Sequence, residues 1–184
     1  MNKQLEDIIS DLIEFFRPHI EGIDSVLDIG TGTSIPIHVF AEHFPEIKYN
    51  TIDIVDIRKR KTLPFKIYNG SQLPFGNSEF DISVLNETLH HCEDPLTVLA
   101  EARRVSKSVF VIEHFPCRGT DIKELIKTEE KALSDFNIEC SIYKPFTEHS
   151  LYLLFEKAGL DILDQIEVPY HGSRKIKKYF FKLE

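Results

Sequence analysis

Cysteine is scarce in this 184-residue chain: Cys92, Cys117 and Cys140 are an odd set with no C-x-x-C pair. Neither a disulfide framework nor a zinc ribbon is expected from that usage, which fits a reducing cytosol and makes a cytoplasmic location the expectation. Positive charge is also short, with 22 Lys and Arg against 30 Asp and Glu and a formal net charge of −8. Such a chain repels polyanions on average, so sequence-independent nucleic-acid binding is disfavoured as its main task. No apolar run approaches the ~18 residues that cross a bilayer, and no membrane partner is expected. The opening MNKQLEDIISDLIEFF has neither the basic start nor the apolar stretch of a secretory leader. Repeats, low-complexity tracts and linkers are missing too. A chain of this length then reads as a single domain over 1–184, with a helix at 3–20 before a core at 25–184.

What is present alternates between strand and helix. Leu5, Ile8, Ile9, Leu12, Phe15 and Phe16 recur at helical spacing. Ser25–Ile29 is a short apolar strand, followed by a glycine turn and a helix over Ile35–Phe44. Tyr49–Ile54, Phe65–Tyr68, Phe80–Leu85 and Ser108–Glu113 read as further strands. The link from Val55 to Pro64 is too short for a full crossover helix. Asp94-Pro95 supplies a cap and first residue for a helix carrying Leu96, Leu99, Ala102 and Val105. A helix is expected from Asp121 to about 137, and another from Thr147 to the stop at Gly159. Leu160–Val168 and Ile176–Leu183 close the chain as an antiparallel pair. The alternation predicts an α/β fold, a doubly wound, mostly parallel sheet whose ligands sit beyond the C-terminal strand ends.

At that edge, Asp28-Ile29-Gly30-Thr31-Gly32-Thr33-Ser34 follows the first strand. Two glycines one residue apart let the backbone turn tightly and approach a ligand. Asp28 places an anion beside the turn, which suits a cationic ligand and disfavours a pyrophosphate. The dinucleotide fingerprint would need glycine where the chain has Ile35. Asp53 ends the second strand, where one carboxylate can accept both hydroxyls of a ribose.

These residues resemble the class I S-adenosylmethionine-dependent methyltransferases, in the branch that mostly modifies small molecules. Val26–Thr33 is similar to the family's first motif, Thr51–Ile54 to its acidic ribose motif and Asn69–Phe75 to its adenine loop. Ser78–Val84, Leu89–Pro95 and Glu101–Val105 continue the pattern in order, and Phe155–Leu160 fits it more loosely. The resemblance implies a Rossmann-like sheet of seven strands with the last antiparallel. It also implies S-adenosylmethionine as cofactor and S-adenosylhomocysteine as product. By resemblance Gly30 and Gly32 approach the methionine half, with Asp28 and Thr31 also counted as cofactor-binding, Asp53 takes the ribose, and Ile54 packs on the adenine. Asn69 would accept from the adenine amine through its carbonyl, Gly70 and Ser71 would offer N–H groups, and Asn86 would lie near the sulfonium. Three departures stand out: Ser34 replaces a common third glycine and would cap the helix, the second crossover is reduced, and Ser106-Lys107-Ser108 replaces a Pro-Gly-Gly turn.

Methyl transfer from a sulfonium is an in-line displacement, so alignment is the enzyme's main contribution. A base is needed only if the accepting atom keeps a proton. Candidates after the fourth and fifth strands are Glu87, His90, His91, Glu113 and His114, with His91, His90 and Glu87 placed first. His91 also has a packing role as its alternative. His90, His91, Cys92, His114 and Cys117 are metal-binding types, but neighbours on an extended loop point apart, so no metal is expected. Cys117 is read as idle rather than nucleophilic. No Pro-Pro-aromatic turn follows the fourth strand, which disfavours base N-methylation. The basic runs Arg58–Lys61 and Arg174–Lys178 suit RNA or an acidic protein, or more simply protect a sheet edge. The expectation is a methyltransferase for a small-molecule acceptor. An RNA or protein methyltransferase and a non-catalytic cofactor-binding partner module are the rivals. Acceptor and oligomeric state stay open.

Overall fold

The computed structural model describes residues 3–117, 120–123, 126–127, 130, 134, 144–169 and 176–184. Its elements follow the alternation of the sequence: α1 (Lys3–Phe16), β1 (Ser25–Ile29), α2 (Ile35–His43), β2 (Lys48–Asp53), β3 (Phe65–Ile67) and β4 (Phe80–Asn86). They continue with α3 (Pro95–Val105), β5 (Ser106–Pro116), α4 (Glu148–Ala158), β6 (Ile162–Pro169) and β7 (Ile176–Leu183). The seven strands form one sheet in the order β3-β2-β1-β4-β5-β7-β6. β7 runs antiparallel to both of its neighbours, β5 and β6, and the pairs from β3 through β5 are parallel. Strand order reverses between β1 and β4, so the ends of these two strands border the crevice where such sheets take ligands.

Alternation along the strands sorts side chains onto two faces. On one, Phe16 of α1 and Phe40 of α2 meet Phe110 and Phe180, with Phe16 stacked on Phe110 at 4.3 Å between ring centres. On the other, Leu99 and Ala102 of α3 and Leu151 and Phe155 of α4 cover Leu27, Leu85, Val111 and Phe181. Two helix ends are fixed by the sequence. The Asp94 carboxylate accepts from Thr97 N at 3.2 Å, and Thr147 and Ser150 cap α4 reciprocally before Gly159 ends it at φ +70°.

Two readings change. Ser34 stands at the start of α2 but at φ +59°, and its hydroxyl donates to Arg60 O at 2.5 Å instead of capping. The reason lies in the reduced crossover: with no helix over 55–64, that segment is tied to the turn, with Lys59 N donating to Thr33 O at 2.9 Å. The lysines of the last strand do not guard an edge, because β7 lies inside the sheet and β3 and β6 are its edges. The expected helix from Asp121, Cys140 and Arg174-Lys175 fall largely or wholly outside the described residues. Among the described residues no helix is long and apolar enough to cross a membrane.

Candidate functional site

At the ends of β1 and β2 the two glycines do different work. Gly30 (φ +73°) lies against Thr88, and a Cβ on Gly30 would come within 2.3 Å of Thr88 Cγ2. Gly30 therefore makes room for Thr88, whose hydroxyl is within 3.2 Å of Ile29 O and 3.1 Å of Asn86 O, joining the ends of β1 and β4. Gly32 (φ +51°) faces open space, with nothing within 4 Å of where its Cβ would be. Its N–H donates to Asp53 Oδ2 at 2.8 Å, and Ile54 N–H donates to Asp53 Oδ1 at 2.7 Å. Burial raises the Asp53 pKa, and these N–H groups pull the other way. The Val55 N–H also bonds this carboxylate, and of its roughly four lone-pair sites these N–H groups leave room for an incoming hydroxyl.

Beside Asp53 an isoleucine stands in water. Ile54 is 62% exposed, and Gly70 lies across from it, where a Cβ would be 3.4 Å from Ile54 Cγ2. Ile67 at the β3 edge is also exposed. Asn69, expected to accept through its carbonyl, has that oxygen engaged by Ser71 N, Ser71 Oγ and Gln72 N at 3.0, 3.1 and 3.0 Å. The turn it closes also occupies the Ser71 N–H. The physical reason is the short Asn side chain, which bonds its own backbone two and three residues on.

Asp28 points from β1 toward α1 and α2. It lines a cavity of about 10 Å³ with Leu12, Phe16, Ile37, Phe40 and Asn86. Burial among these apolar groups pushes its carboxyl up to about 7, while the Thr31 hydroxyl opposes the shift and the Asp53 charge adds to it. Asn86 ends β4 on the opposite side of the crevice from the turn.

A second constellation forms where β4 and β5 end and β7 begins. Leu89–His91 is a 3-10 turn, not the extended loop expected, so its side chains do not simply alternate. The Glu113 carboxylate, fully buried, accepts from Leu89 N at 2.8 Å and pairs with His90 Nδ1 at 2.5 Å. The Glu87 carboxylate pairs with His114 Nδ1 at 2.5 Å and with Lys178 Nζ at 2.7 Å. Lys178 is 3% exposed and sits directly across from His114 in the β5–β7 register. Burial opposes charge on Glu87, but Lys178 and His114 outweigh it and hold the carboxyl well below its usual range. Burial likewise opposes the His114 cation, and Glu87 outweighs it, so the imidazole pKa is raised. Glu87 reaches its place through a left-handed residue, φ +53°. One donor atom from each of Glu87, His90, Glu113 and His114 lies within 4.8 Å of the others, a set able to hold a metal ion.

Thus Asp28, Gly30, Thr31, Gly32, Asp53 and Ile54 gather at one rim with Gly70 and Asn86, and Glu87 and His90 at the next. The His91 ring is 4.2 Å from that of His90 and partly exposed. Thr88 carries no signal in the sequence, and Lys178 is read there only as part of the basic run Arg174–Lys178. The signal for Lys178 was its alternation with Phe180 on one strand face. Burial raises the Cys92 thiol to about 12, far from nucleophilic use. The Arg58–Lys61 run is largely consumed locally: Arg58 and Lys61 pair with Asp56, and Arg60 with Glu42.

Strand order, crevice and glycine turn together are those of the class I S-adenosylmethionine-dependent methyltransferase fold. Residues 1–165 match the family described as "Methyltransferase domain", and the chain belongs to that family. A similar curated protein is ribosomal RNA small subunit methyltransferase G of Helicobacter acinonychis, 30% identical over 114 residues, which are 60% of this chain and 60% of that protein. The chain spans 40% to 60% of the length of the curated relatives it matches. Among solved structures, 1,6-didemethyltoxoflavin-N1-methyltransferase of Burkholderia thailandensis, with 1,6-didemethyltoxoflavin and S-adenosylhomocysteine bound, superposes with a TM-score of 0.70 at 18% identity, over 95% of this chain and 76% of that one. A putative methyltransferase of Bacillus halodurans gives 0.67 at 14% identity, over 95% and 97%. Likenesses at these identities bear on the fold.

Proposed function

We propose that this chain, acting as one domain in the cytosol, binds S-adenosylmethionine and passes its methyl group to a small-molecule acceptor. The observation that carries the reading is the Gly32–Asp53–Ile54 corner. It combines a left-handed glycine facing open space, a carboxylate oriented by two N–H groups, and a water-exposed isoleucine opposite another glycine. Gly32 would let a ligand lie against the main chain, Asp53 would take the ribose hydroxyls, and Ile54 with Gly70 would flank the adenine. Asp28 and Asn86 would face the methionine half, where a cationic group favours the ionised form of Asp28. When bound, the cofactor supplies a methyl group on a positively charged sulfur, already activated for displacement. The protein's part is then alignment and exclusion of water. The three candidate bases differ in setting: Glu87 is held as an ion pair, His90 is buried and bound to Glu113, and His91 is partly exposed beside His90.

The acidic balance of the chain and the local pairing of Arg58, Arg60 and Lys61 favour a small acceptor. A ribosomal RNA acceptor is the second reading, favoured by the 30% identity to a ribosomal RNA methyltransferase. Titration calorimetry with S-adenosylhomocysteine tests the cofactor assignment. Asp53→Ala is expected to weaken binding by about 10- to 100-fold, the worth of a charged hydrogen-bond pair, and an unchanged affinity would remove the ribose role. Incubation with labelled cofactor and either a metabolite extract or ribosomal RNA separates the two acceptors.

A further inference from the structure

From the convergence of Glu87, His90, Glu113 and His114, we propose a site for one divalent transition cation of the zinc or manganese type. Two imidazoles and two carboxylates are a donor set suited to such ions, whereas magnesium and calcium prefer oxygen alone. Glu87 and His90 come from the segment just past β4, Glu113 and His114 from the end of its parallel neighbour β5, and one ligand atom of each falls within 4.8 Å of the others. The strands and the 3-10 turn fix this geometry from both sides: Glu87 N–H donates to Ile112 O at 2.8 Å, and Glu113 holds Leu89 N–H. The quartet has only one partly open member, Glu87, whose side chain is 25% exposed and gives the ion an approach.

A buried ionic cluster needs a reason to exist. Desolvating such groups offsets most of their mutual attraction, and well-packed apolar side chains are often at least as stable. Five ionisable groups in one place, Lys178 included, therefore point to use rather than to stability. Lys178 meets Glu87 at Oε1 and would remain as a neighbouring charge next to the bound ion. Glu87 directly follows Asn86, the last residue of β4. This inference deepens the methyl-transfer reading and rests on it for its role, a Lewis acid beside the expected acceptor position.

The test uses the metal alone. Protein stripped with a chelator is titrated with Zn²⁺, Mn²⁺ or Mg²⁺ by calorimetry, and metal retained after dialysis is counted by mass spectrometry. About one equivalent of Zn²⁺ or Mn²⁺ is expected, with Glu113→Gln and His114→Asn each weakening binding by ~10- to 100-fold or more. Should those variants fail to fold, Co²⁺ added to the unaltered protein decides: visible ligand-field bands without a thiolate charge-transfer band support the assignment. No stoichiometric uptake, equal affinity in folded variants, or a thiolate band placing the ion on Cys92 or Cys117 would overturn it. S-adenosylhomocysteine titrated into the same metal-free protein reads the cofactor proposal separately, so the two can fail independently.

Discussion

The two neighbouring rims of one sheet are built from opposite materials. At the ends of β1 and β2 the surface is main chain, a left-handed glycine and an exposed isoleucine around one carboxylate. Where β4 and β5 end and β7 begins it is a buried knot of side chains, His90 paired with Glu113 and Glu87 with both His114 and Lys178. The first rim keeps its shape through backbone conformation and leaves space. The second keeps its shape through charge. Damage to the first should therefore cost ligand binding more than stability, and damage to the second should cost stability outright.

The largest effect is expected from Glu113→Ala, which strips Leu89 N–H and His90 of a fully buried partner. Urea unfolding should show a loss of about 3–5 kcal/mol, the usual range for breaking a buried pair. A loss under 1 kcal/mol would mean that water reaches the cluster and that the contrast between the rims is weaker than drawn.

The open rim has its own buried exception in Asp28. Its folded-state pKa, about 7, lies above the ordinary value of 3.8. The protonated carboxyl thus contributes stability fully below about pH 4, and the contribution disappears as pH rises through 7, by at most ~4 kcal/mol at 1.36 per unit. Asp28→Asn should flatten the wild-type decline in stability between pH 4 and 8. Parallel curves for the two proteins would place Asp28 in contact with water.

Smaller again is Gly30→Ala. The added methyl meets Thr88 at 2.3 Å and sits at φ +73°, and thermal unfolding should register ~1–3 kcal/mol of destabilisation. Should Gly30→Ala prove neutral, the strap from Thr88 to Ile29 and Asn86 would be slack.

The same contrast explains what could be read from the chain before folding. β1, α2, β2, β4, α3 and α4 were legible to within a residue or two, because apolar runs, caps and Gly159 mark them locally. β5 extends beyond Ser108–Glu113 to Ser106–Pro116, since Ser106 and His114 are polar yet lie in the sheet between β4 and β7. The glycine rim was legible as motif and spacing, although the motif did not reveal that Gly30 yields to Thr88 while Gly32 yields to open space. Asn69 and Ser34 departed from their expected roles because each hydroxyl or amide found a nearby backbone partner first. The second rim was legible only as a list of candidates. Its assembly depends on β7 entering between β5 and β6, which brings Lys178 beside His114, and no local pattern encodes that insertion.

The account rests on Gly32 facing the place where S-adenosylmethionine lies. The most direct measurement is calorimetric titration of S-adenosylhomocysteine into the wild-type protein and into Gly32→Val, with circular dichroism recorded on both. Wild type should bind one equivalent. Gly32→Val should not bind detectably, while its spectrum stays folded, because beyond its own chain neighbours nothing lies within 4 Å of the new Cβ and backbone strain costs only ~1–3 kcal/mol. A wild-type protein that takes up no S-adenosylhomocysteine, or a folded Gly32→Val that binds it equally well, would contradict the account.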